Sequence, residues 1–470
     1  MNQQLMRICL SGLFIAMLSM VMCACSTYRA QPLSPTAVAS ALTPPTWPEL
    51  QVRIAELHHD RLPAASIDPA GPFSPEQIAL VAIVANPGLR AIRSERALAA
   101  AQLLQAGILP NPQLSVGADL AVRSPDGLAT PGKSLGLAWD LSGLITRGAK
   151  KSAAAAHLEQ VALDIAWQEW VIAEGAKQAA IKLSAAEARL ELTRELLRTL
   201  DEHHALLEQA LRSGATTVWE TNAANTAKGD AQRQVLDVER DLARFRLQLN
   251  RLLGLPPEAQ IAIRVARWAT HLDIATELTT SLTDQRLDLI AFRRGYDSQE
   301  EGLRAAVLAQ FPKIGISLGH ATDTSDVRSL TLGVIIDLPI FDRNQGVIAS
   351  EIATRQKLFD EYTQRVFEAR SDCALAQADA AALGRIIILI DEQEKELQTH
   401  AMAIKKAFDG HVIDRLSANA SSVQLLQKRI ESLLLRQTLA ETAIAIELAV
   451  GCLLTTDATT HTAPRDQGKP

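Results

Sequence analysis

The chain has 470 residues, more than one ordinary hydrophobic core uses. Its apolar fraction of 47% holds only 4% aromatics, so much of it is Ala and Leu, the composition of packed helices. The formal net charge of −6 argues against nucleic acid as a partner. No Gly-rich phosphate loop, HExxH or GxSxG turn occurs, no nucleophile–base constellation points to an enzyme, and nothing implies a cofactor.

Arg7 precedes an apolar run from Ile8 to Met22, shorter than a spanning helix and suited to a signal-peptide core. The run ends in MVMCACS. Ala24 supplies the small residue that lipoprotein processing requires, so 1–24 reads as a signal peptide and Cys25 as the lipidated first residue. Cys23 is the alternative, disfavoured by the bulky Met22 before it, and an ordinary signal peptide with incidental cysteines is the plainer reading. Ser26 follows Cys25; by resemblance to bacterial lipoproteins, the lack of Asp there favours the outer membrane. Residues 25–73, rich in Pro and Ala, read as an extended leader.

From Ser74 the chain states one plan twice. Ser74-Pro75-Glu76-Gln77 is a helix start, with Ser as N-cap, Pro at the first position and Gln three residues on. A helix is expected over Ser74 to Ala106, then strands over 112–122 and 134–141, then a helical hairpin over 144–254. The second copy has a helix over Thr283 to Leu308, strands over 312–320 and 329–338, and a hairpin over 343–453. The repeats therefore occupy 74–282 and 283–454, with a tail at 455–470. Duplication is visible in two proline-free stretches of 124 residues, Gly132 to Leu255 and Ile340 to Ala463, and in Asp140-Leu141 and Gly254, each 197 positions before Asp337-Leu338 and Gly451.

The strands alternate with period two. Leu114, Val116, Leu135, Leu137, Ile316, Leu318, Leu332 and Val334 fall on one face, and Ser115, Gly117, Asp119, Gly136, Gly315, Ser317 and Gly333 on the other. An apolar outer face and a small or polar inner face describe a membrane barrel with a wet lumen; a half-buried soluble sheet has the same period. Four strands fall short of the minimum of about eight that closes a barrel, and open edges are not tolerated in lipid. Other subunits must complete the sheet. The helices carry heptad spacing, as at Leu183, Ala186, Leu190, Thr193, Leu197, Leu200, His204 and Leu207, which suits knobs-into-holes packing between antiparallel neighbours.

The hairpin turns are expected at Gly214 and Gly410, each able to end a helix in a left-handed cap. Glu220 lies six residues after Gly214. Counting from Gly410, its counterpart is Leu416, with Asp414 the nearest acid. Either carboxylate can sit as a solvated charge at a helix start. His204 and Glu208 stand one turn apart, yet His204 falls on the heptad seam; His58-His59 lies in the leader, and no metal-ligand motif is assigned. Cys373 and Cys452 lie 37 residues before and 42 after Gly410. In an antiparallel hairpin that is about 7.5 Å apart in height, so a disulfide is possible, as are two separate buried thiols.

The segments NPGLRAIRSERALAAAQLLQAGILPNPQLSVG from Asn86, DLPIFDRNQG from Asp337, SGATTVWETNAA from Ser213 and DGHVIDRLSANA from Asp409 resemble the TolC-like outer membrane efflux family, over Phe73 to Leu453. The likeness is to its lipoprotein branch, which serves resistance-nodulation-division pumps, and within that to the cation-efflux members. The resemblance implies a mainly α protein with a membrane β part. Three chains would form a homotrimer whose 12-stranded barrel continues into a 12-helix periplasmic tunnel. It also implies a periplasmic adaptor and an inner-membrane pump as partners, contacts at the tips near Gly214, Glu220, Gly410 and Asp414, and passive export, of heavy-metal cations by the nearest likeness. A drug-efflux duct is the alternative within the family, and a structural coiled-coil lipoprotein the alternative outside it.

Overall fold

The computed structural model describes residues 27–57, 71–120, 131–264, 268–270, 272 and 282–454. Cys25 and the signal segment, His58-His59, most of the link between the first two strands, and the tail from Thr455 lie outside these residues.

The chain divides into two compact units, Met1–Pro44 and Pro45–Pro470. In the first, helix α1 (Pro35–Leu42) starts on Ser34, whose hydroxyl accepts from the Ala37 N–H at 3.2 Å. The second begins with α2 (Trp47–Ala55), where the Thr46 N–H donates to Glu49 at 2.9 Å and Trp47 stacks on Phe73 with ring centroids 5.2 Å apart. The expected extended leader is thus partly helical. Proline is compatible with the first turn of a helix, so a Pro-rich stretch with Ser or Thr caps can still form short ones.

The second unit continues through α3 (Pro75–Ala85), α4 (Pro87–Gly107), β1 (Gln113–Asp119), β2 (Gly132–Asp140), α5 (Ser142–Arg212) and α6 (Val218–Leu252). It then repeats with α7 (Leu282–Gln285), α8 (Leu287–Leu308), β3 (Lys313–Thr322), β4 (Arg328–Asp337), α9 (Gln345–Asp409) and α10 (Arg415–Val450). The protein is mostly helical, with one small sheet.

The strands form an antiparallel sheet in the order β1-β2-β3-β4. Residues directly opposite one another point to the same side, so register decides what each face carries. Leu114, Leu137, Leu318 and Leu332 form one continuous row, Val116, Leu135, His320 and Leu330 the next, and Trp139, Ile316 and Val334 a third. The opposite face stacks Ser115, Gly136, Gly319 and Thr331, then Gly117, Ser134, Ala321 and Ser329, then Gln113, Ala138, Ser317 and Gly333. A slip of one residue between any two strands would mix the sets. The β3–β4 ladder runs on to Thr322 opposite Arg328, past the expected end at 320. A tight turn allows this: the Asp323 carboxylate accepts from the Ser325 and Val327 N–H groups at 2.8 and 2.9 Å, and Asp326 takes φ +59°.

Helices α5 and α9 have 71 and 65 residues, their return partners α6 and α10 only 35 and 36. At about 1.5 Å per residue, α5 is roughly 105 Å long and the returns cover about half of that. The remaining length of α5 is covered by α4 and α8, and α8 also packs on α9. The main core lies where α3 meets α5. Eight of the eleven α3 residues, Ile78 to Ala85, are buried, so the helix is apolar all round and inserts under Trp170, Ala173, Ala176, Ala180 and Leu183.

Each helix expected before a strand pair is in fact two, broken at Asn86 and at Arg286. Pro87 disfavours helical geometry at the residue before it, and Asn86 accordingly takes ψ 121°. Arg286 takes ψ 119° with no proline to signal it. Both breaks serve the same purpose. The Asn86 side chain donates to the Leu252 carbonyl at 2.8 Å, and Arg286 Nη1 donates to the Ala449 carbonyl at 3.1 Å. Leu252 and Ala449 lie 197 positions apart, so each lock satisfies the same free carbonyl at the end of a return helix. Just beyond, Gly254 (φ +61°) and Gly451 (φ +79°) turn the chain away.

Candidate channel wall, tips and shaft

The two tips are built alike, but one residue out of step with expectation. In the first, Ser213 closes α5 and Gly214 takes φ +72°. In the second, Gly410 has φ −84° and His411 takes the left-handed slot at φ +55°. The repeat interval is therefore 197 here too, Gly214 corresponds to His411, and Gly410 is not the left-handed residue. Counted this way, Thr217 corresponds to Asp414 and Glu220 to Ser417, not Leu416.

Hydrogen bonding agrees with that pairing. Thr217 caps α6, its hydroxyl accepting from the Glu220 N–H at 3.3 Å, while Glu220 accepts from the Thr217 N–H at 3.1 Å and from the Thr216 hydroxyl. Asp414 caps α10, accepting from the Ser417 N–H at 2.8 Å. The Thr216 hydroxyl and then the Thr217 N–H hold the Glu220 carboxyl below its usual range; the Ser417 N–H does the same for Asp414. Both carboxylates are exposed, ionised and set at helix N-termini where the dipole favours them. One acid occupies the N-cap and the other the third helical position, which is why they looked misaligned in sequence. Arg415 pairs with Glu202 of α5 at 3.1 Å, so the second tip is tied to the first hairpin.

Halfway along the shaft, α5 and α10 are joined by a buried ion cluster. Lys177 Nζ lies 2.6 Å from Glu447 and 2.9 Å from Glu174, whose residue is 1% exposed. Glu447 also accepts from the Leu454 N–H at 3.0 Å. Burial pushes the Glu174 carboxyl up to about 8 against the pull of Lys177. Burial opposes the Lys177 charge, but the two flanking carboxylates outweigh it and the ammonium is held above its usual range. A second cluster surrounds the Arg286 lock: Asp288 takes Arg286 at 2.7 Å and Arg365 of α9 at 3.0 Å, and the Arg286 guanidinium lies 4.8 Å from the Trp167 ring centroid.

Cys373 and Cys452 share one apolar cluster without forming a disulfide, and Cys452 Sγ donates to Gln285 at 3.4 Å. His204 and Glu208 stand 3.8 Å apart, and among the described residues no group of three or more His, Cys, Asp or Glu gathers into a metal site.

No family profile matches the sequence. Individual proteins do. Over 359 residues the chain is 23% identical to the cobalt-zinc-cadmium resistance protein CzcC of Cupriavidus metallidurans, spanning 74% of this chain and 84% of that one. It is 25% identical over 236 residues to the cation efflux system protein CusC of Escherichia coli, spanning 47% of this chain and 50% of that one. To the outer membrane protein OprJ of Pseudomonas aeruginosa it is 26% identical over 245 residues, 49% of each. The CusC and OprJ matches therefore cover about half the length of those relatives. Among solved structures, the chain superposes on CusC with a TM-score of 0.63 at 19% identity, over 84% of this chain and 98% of that one. On the outer-membrane channel OprN the TM-score is 0.66 at 17% identity, over 91% and 99%.

The chain has the fold of the solved outer membrane channels and is similar in sequence to outer membrane efflux proteins. In this chain the four residues singled out at the tips, Gly214, Glu220, Gly410 and Asp414, all fall in or beside the two turns. Sequence reasoning missed Trp219, 82% exposed beside Glu220, and the exposed Val412 in the other turn. A bulky apolar residue next to a turn glycine was the available signal. It also missed the Glu174–Lys177–Glu447 cluster, because a Glu and a Lys three apart on a helix usually form a solvated pair.

Proposed function

We propose that this chain is a TolC-like outer membrane factor, the exit duct of a tripartite efflux system. Three copies form a homotrimer in the outer membrane, anchored through lipid on Cys25, with four strands from each copy closing a 12-stranded barrel and four long helices from each forming a 12-helix tunnel. The tips around Gly214 and Glu220, and around Gly410 and Asp414, form the periplasmic end and meet an adaptor protein that links the duct to an inner-membrane resistance-nodulation-division pump. Transport through the duct is passive; the protein is not an enzyme.

The sheet carries this reading. Its register gathers a wide apolar face on one side and a small, polar face on the other, with β1 and β4 at open edges. Edges of that kind in lipid must pair with another strand. The shaft supports the same assembly. Helix α9 contains an 18-residue stretch of mean hydropathy 1.7 of which only 33% is buried, and Phe359, Phe367, Ile386, Ile388 and Leu389 stand exposed on this helix. A neighbouring copy covers them. Heavy-metal cations are the proposed cargo, on the likeness to CzcC and CusC. The second reading is a drug-efflux duct, favoured by the likeness to OprJ.

Purified protein in planar bilayers should give stable ohmic conductance, and native mass spectrometry should give three chains per particle. Monomers without conductance would overturn the duct. A deletion strain hypersensitive to zinc, cadmium or copper salts but not to antibiotics supports the cation reading; the reverse pattern supports the drug reading.

A further inference from the structure

On the apolar face of the sheet each central or closing strand ends, at the edge farthest from the helices, in a polar residue. Lys133 of β2 lies opposite Thr322 of β3, and Thr322 lies opposite Arg328 of β4, so the three form one row. His320 sits in the next row, between Leu135 and Leu330. Below these come only apolar rows, down to Trp139, whose indole N–H donates to the Pro110 carbonyl at 2.8 Å, with exposed Phe311 and Phe341 beyond the strand ends on the helix side. The band therefore has an aromatic border on one side and a cationic border on the other. Among the described residues, the side chains of Lys133 and Arg328 enter no ion pair. Of the two acids in the β3–β4 turn, Asp323 directs its carboxylate into its own turn and Asp326 enters no ion pair among the described residues.

We propose that Lys133, Thr322 and Arg328 form a binding site for the phosphate groups of a phosphorylated glycolipid in the outer leaflet. The inference rests on the barrel reading above, which turns the apolar face toward lipid and the helix-distal strand ends toward the outside. Neighbouring strands are about 4.8 Å apart, so Lys133 and Arg328 stand roughly 10 Å from each other across Thr322. Long basic side chains on a lipid-facing surface extend toward the headgroup level. The two can converge on one headgroup, the guanidinium engaging a phosphate through paired N–H donors, the ammonium as a point charge and the threonine hydroxyl between them. The acyl chains have a place as well. A shallow groove of about 450 Å³ on the same face is lined by Leu137, Trp139, Ile316, Leu318 and Leu332. It begins about 13 Å along the strand from Lys133, within reach of a chain whose headgroup is held at the row.

The test uses the full-length detergent-purified protein and native mass spectrometry. The probes are bis-phosphorylated lipid A, its dephosphorylated form, phosphatidylglycerol and inorganic pyrophosphate. Wild type should retain lipid A and neither the dephosphorylated form nor pyrophosphate. A basic residue near a membrane surface contributes roughly a fivefold change in affinity. K133Q and R328Q should each weaken lipid A binding by about that factor, and the double variant by about 25-fold; K313Q, on the opposite face, should leave it unchanged. Equal retention by wild type and the double variant overturns the site. Equal retention of phosphatidylglycerol by wild type overturns the assignment to glycolipid. Conductance of the same wild-type preparation is recorded alongside: its absence would remove the barrel reading itself, whereas conductance with unaltered lipid binding would remove only this site.

Discussion

Replacing Glu174 by Gln should abolish a pH dependence of stability that the wild type carries. Glu174 is buried with its carboxylate against Lys177, and burial raises its folded pKa from an ordinary 4.5 to about 8. A carboxyl with a raised folded pKa binds its proton more tightly when folded. Its contribution is therefore fully present below pH 4.5 and is lost as pH rises toward 8. At about 1.4 kcal/mol per pH unit, the loss reaches about 4 kcal/mol by pH 8. Gln keeps the shape of the protonated side chain and cannot ionise, so E174Q should match wild type near pH 5 and exceed it near pH 8. With an unfolding entropy of about 2.1 cal/mol/K per residue, a chain of this size shifts its midpoint by about 1 °C per kcal/mol, giving a gap of roughly 4 °C. Thermal melts followed by circular dichroism at 222 nm between pH 5 and 8.5, at one protein concentration, read this directly. Lys177→Met is the companion variant. It leaves Glu447 without its partner at 2.6 Å and should cost about 3–5 kcal/mol at pH 7. Wild-type and E174Q midpoints that run parallel across the whole range would refute the reasoning.

Four further outcomes are expected. Gly254→Ala and Gly451→Ala should each destabilise by more than about 1 kcal/mol, since both glycines have positive φ and an added Cβ would stand 2.8 Å from the Ala85 carbonyl oxygen or 3.0 Å from Arg286 Cα; denaturation midpoints check this. Cysteine at Asp119 or Gly315 should react with a membrane-impermeant, water-soluble thiol reagent while cysteine at Leu137 or Leu332 stays protected, and the opposite pattern would turn the sheet inside out. Removing both tip carboxylates, as Glu220→Ala with Asp414→Ala, should lower cation selectivity in bilayers and weaken α10 by about 1 kcal/mol through its lost N-cap, while Thr217 still caps α6; unchanged reversal potentials would leave the pair a purely structural role. Cys25→Ala should abolish incorporation of labelled palmitate, and label persisting through Cys23 would move the anchor.

The parts of this fold written in strict periods could be read in advance. Alternation of two at Leu114, Leu137, Leu318 and Leu332 specifies one face of a sheet whatever the partner strand, and the observed ladder places all four in a single row. Proline at 87 marks a break, whereas Arg286 breaks its helix because its side chain is needed at the Ala449 carbonyl, a requirement that exists only once the chain has folded back. The second tip misled for a related reason. Gly410 is the residue with intrinsic freedom for positive φ, but the helix ends on it and passes the left-handed position to His411, at a cost of about 1–2 kcal/mol for a side-chain-bearing residue. The acid pair at the tips looked unequal because its members were compared by distance from the two glycines and not by their place in the caps.

The two locks have a consequence for the ancestry of the chain. The same carbonyl slot is met by a neutral amide in one half and a guanidinium in the other, and only the guanidinium has drawn in Asp288 and Arg365. Asparagine at both sites would leave the buried Asp288 with Arg365 as its only partner of the two, and arginine at both would bring a cation into the first half, where no counterpart of Asp288 meets the lock. The halves can no longer substitute for one another. In the proposed trimer the six halves would therefore alternate in chemistry around the circumference. A six-membered ring built from either half alone would have to discard one of the locks.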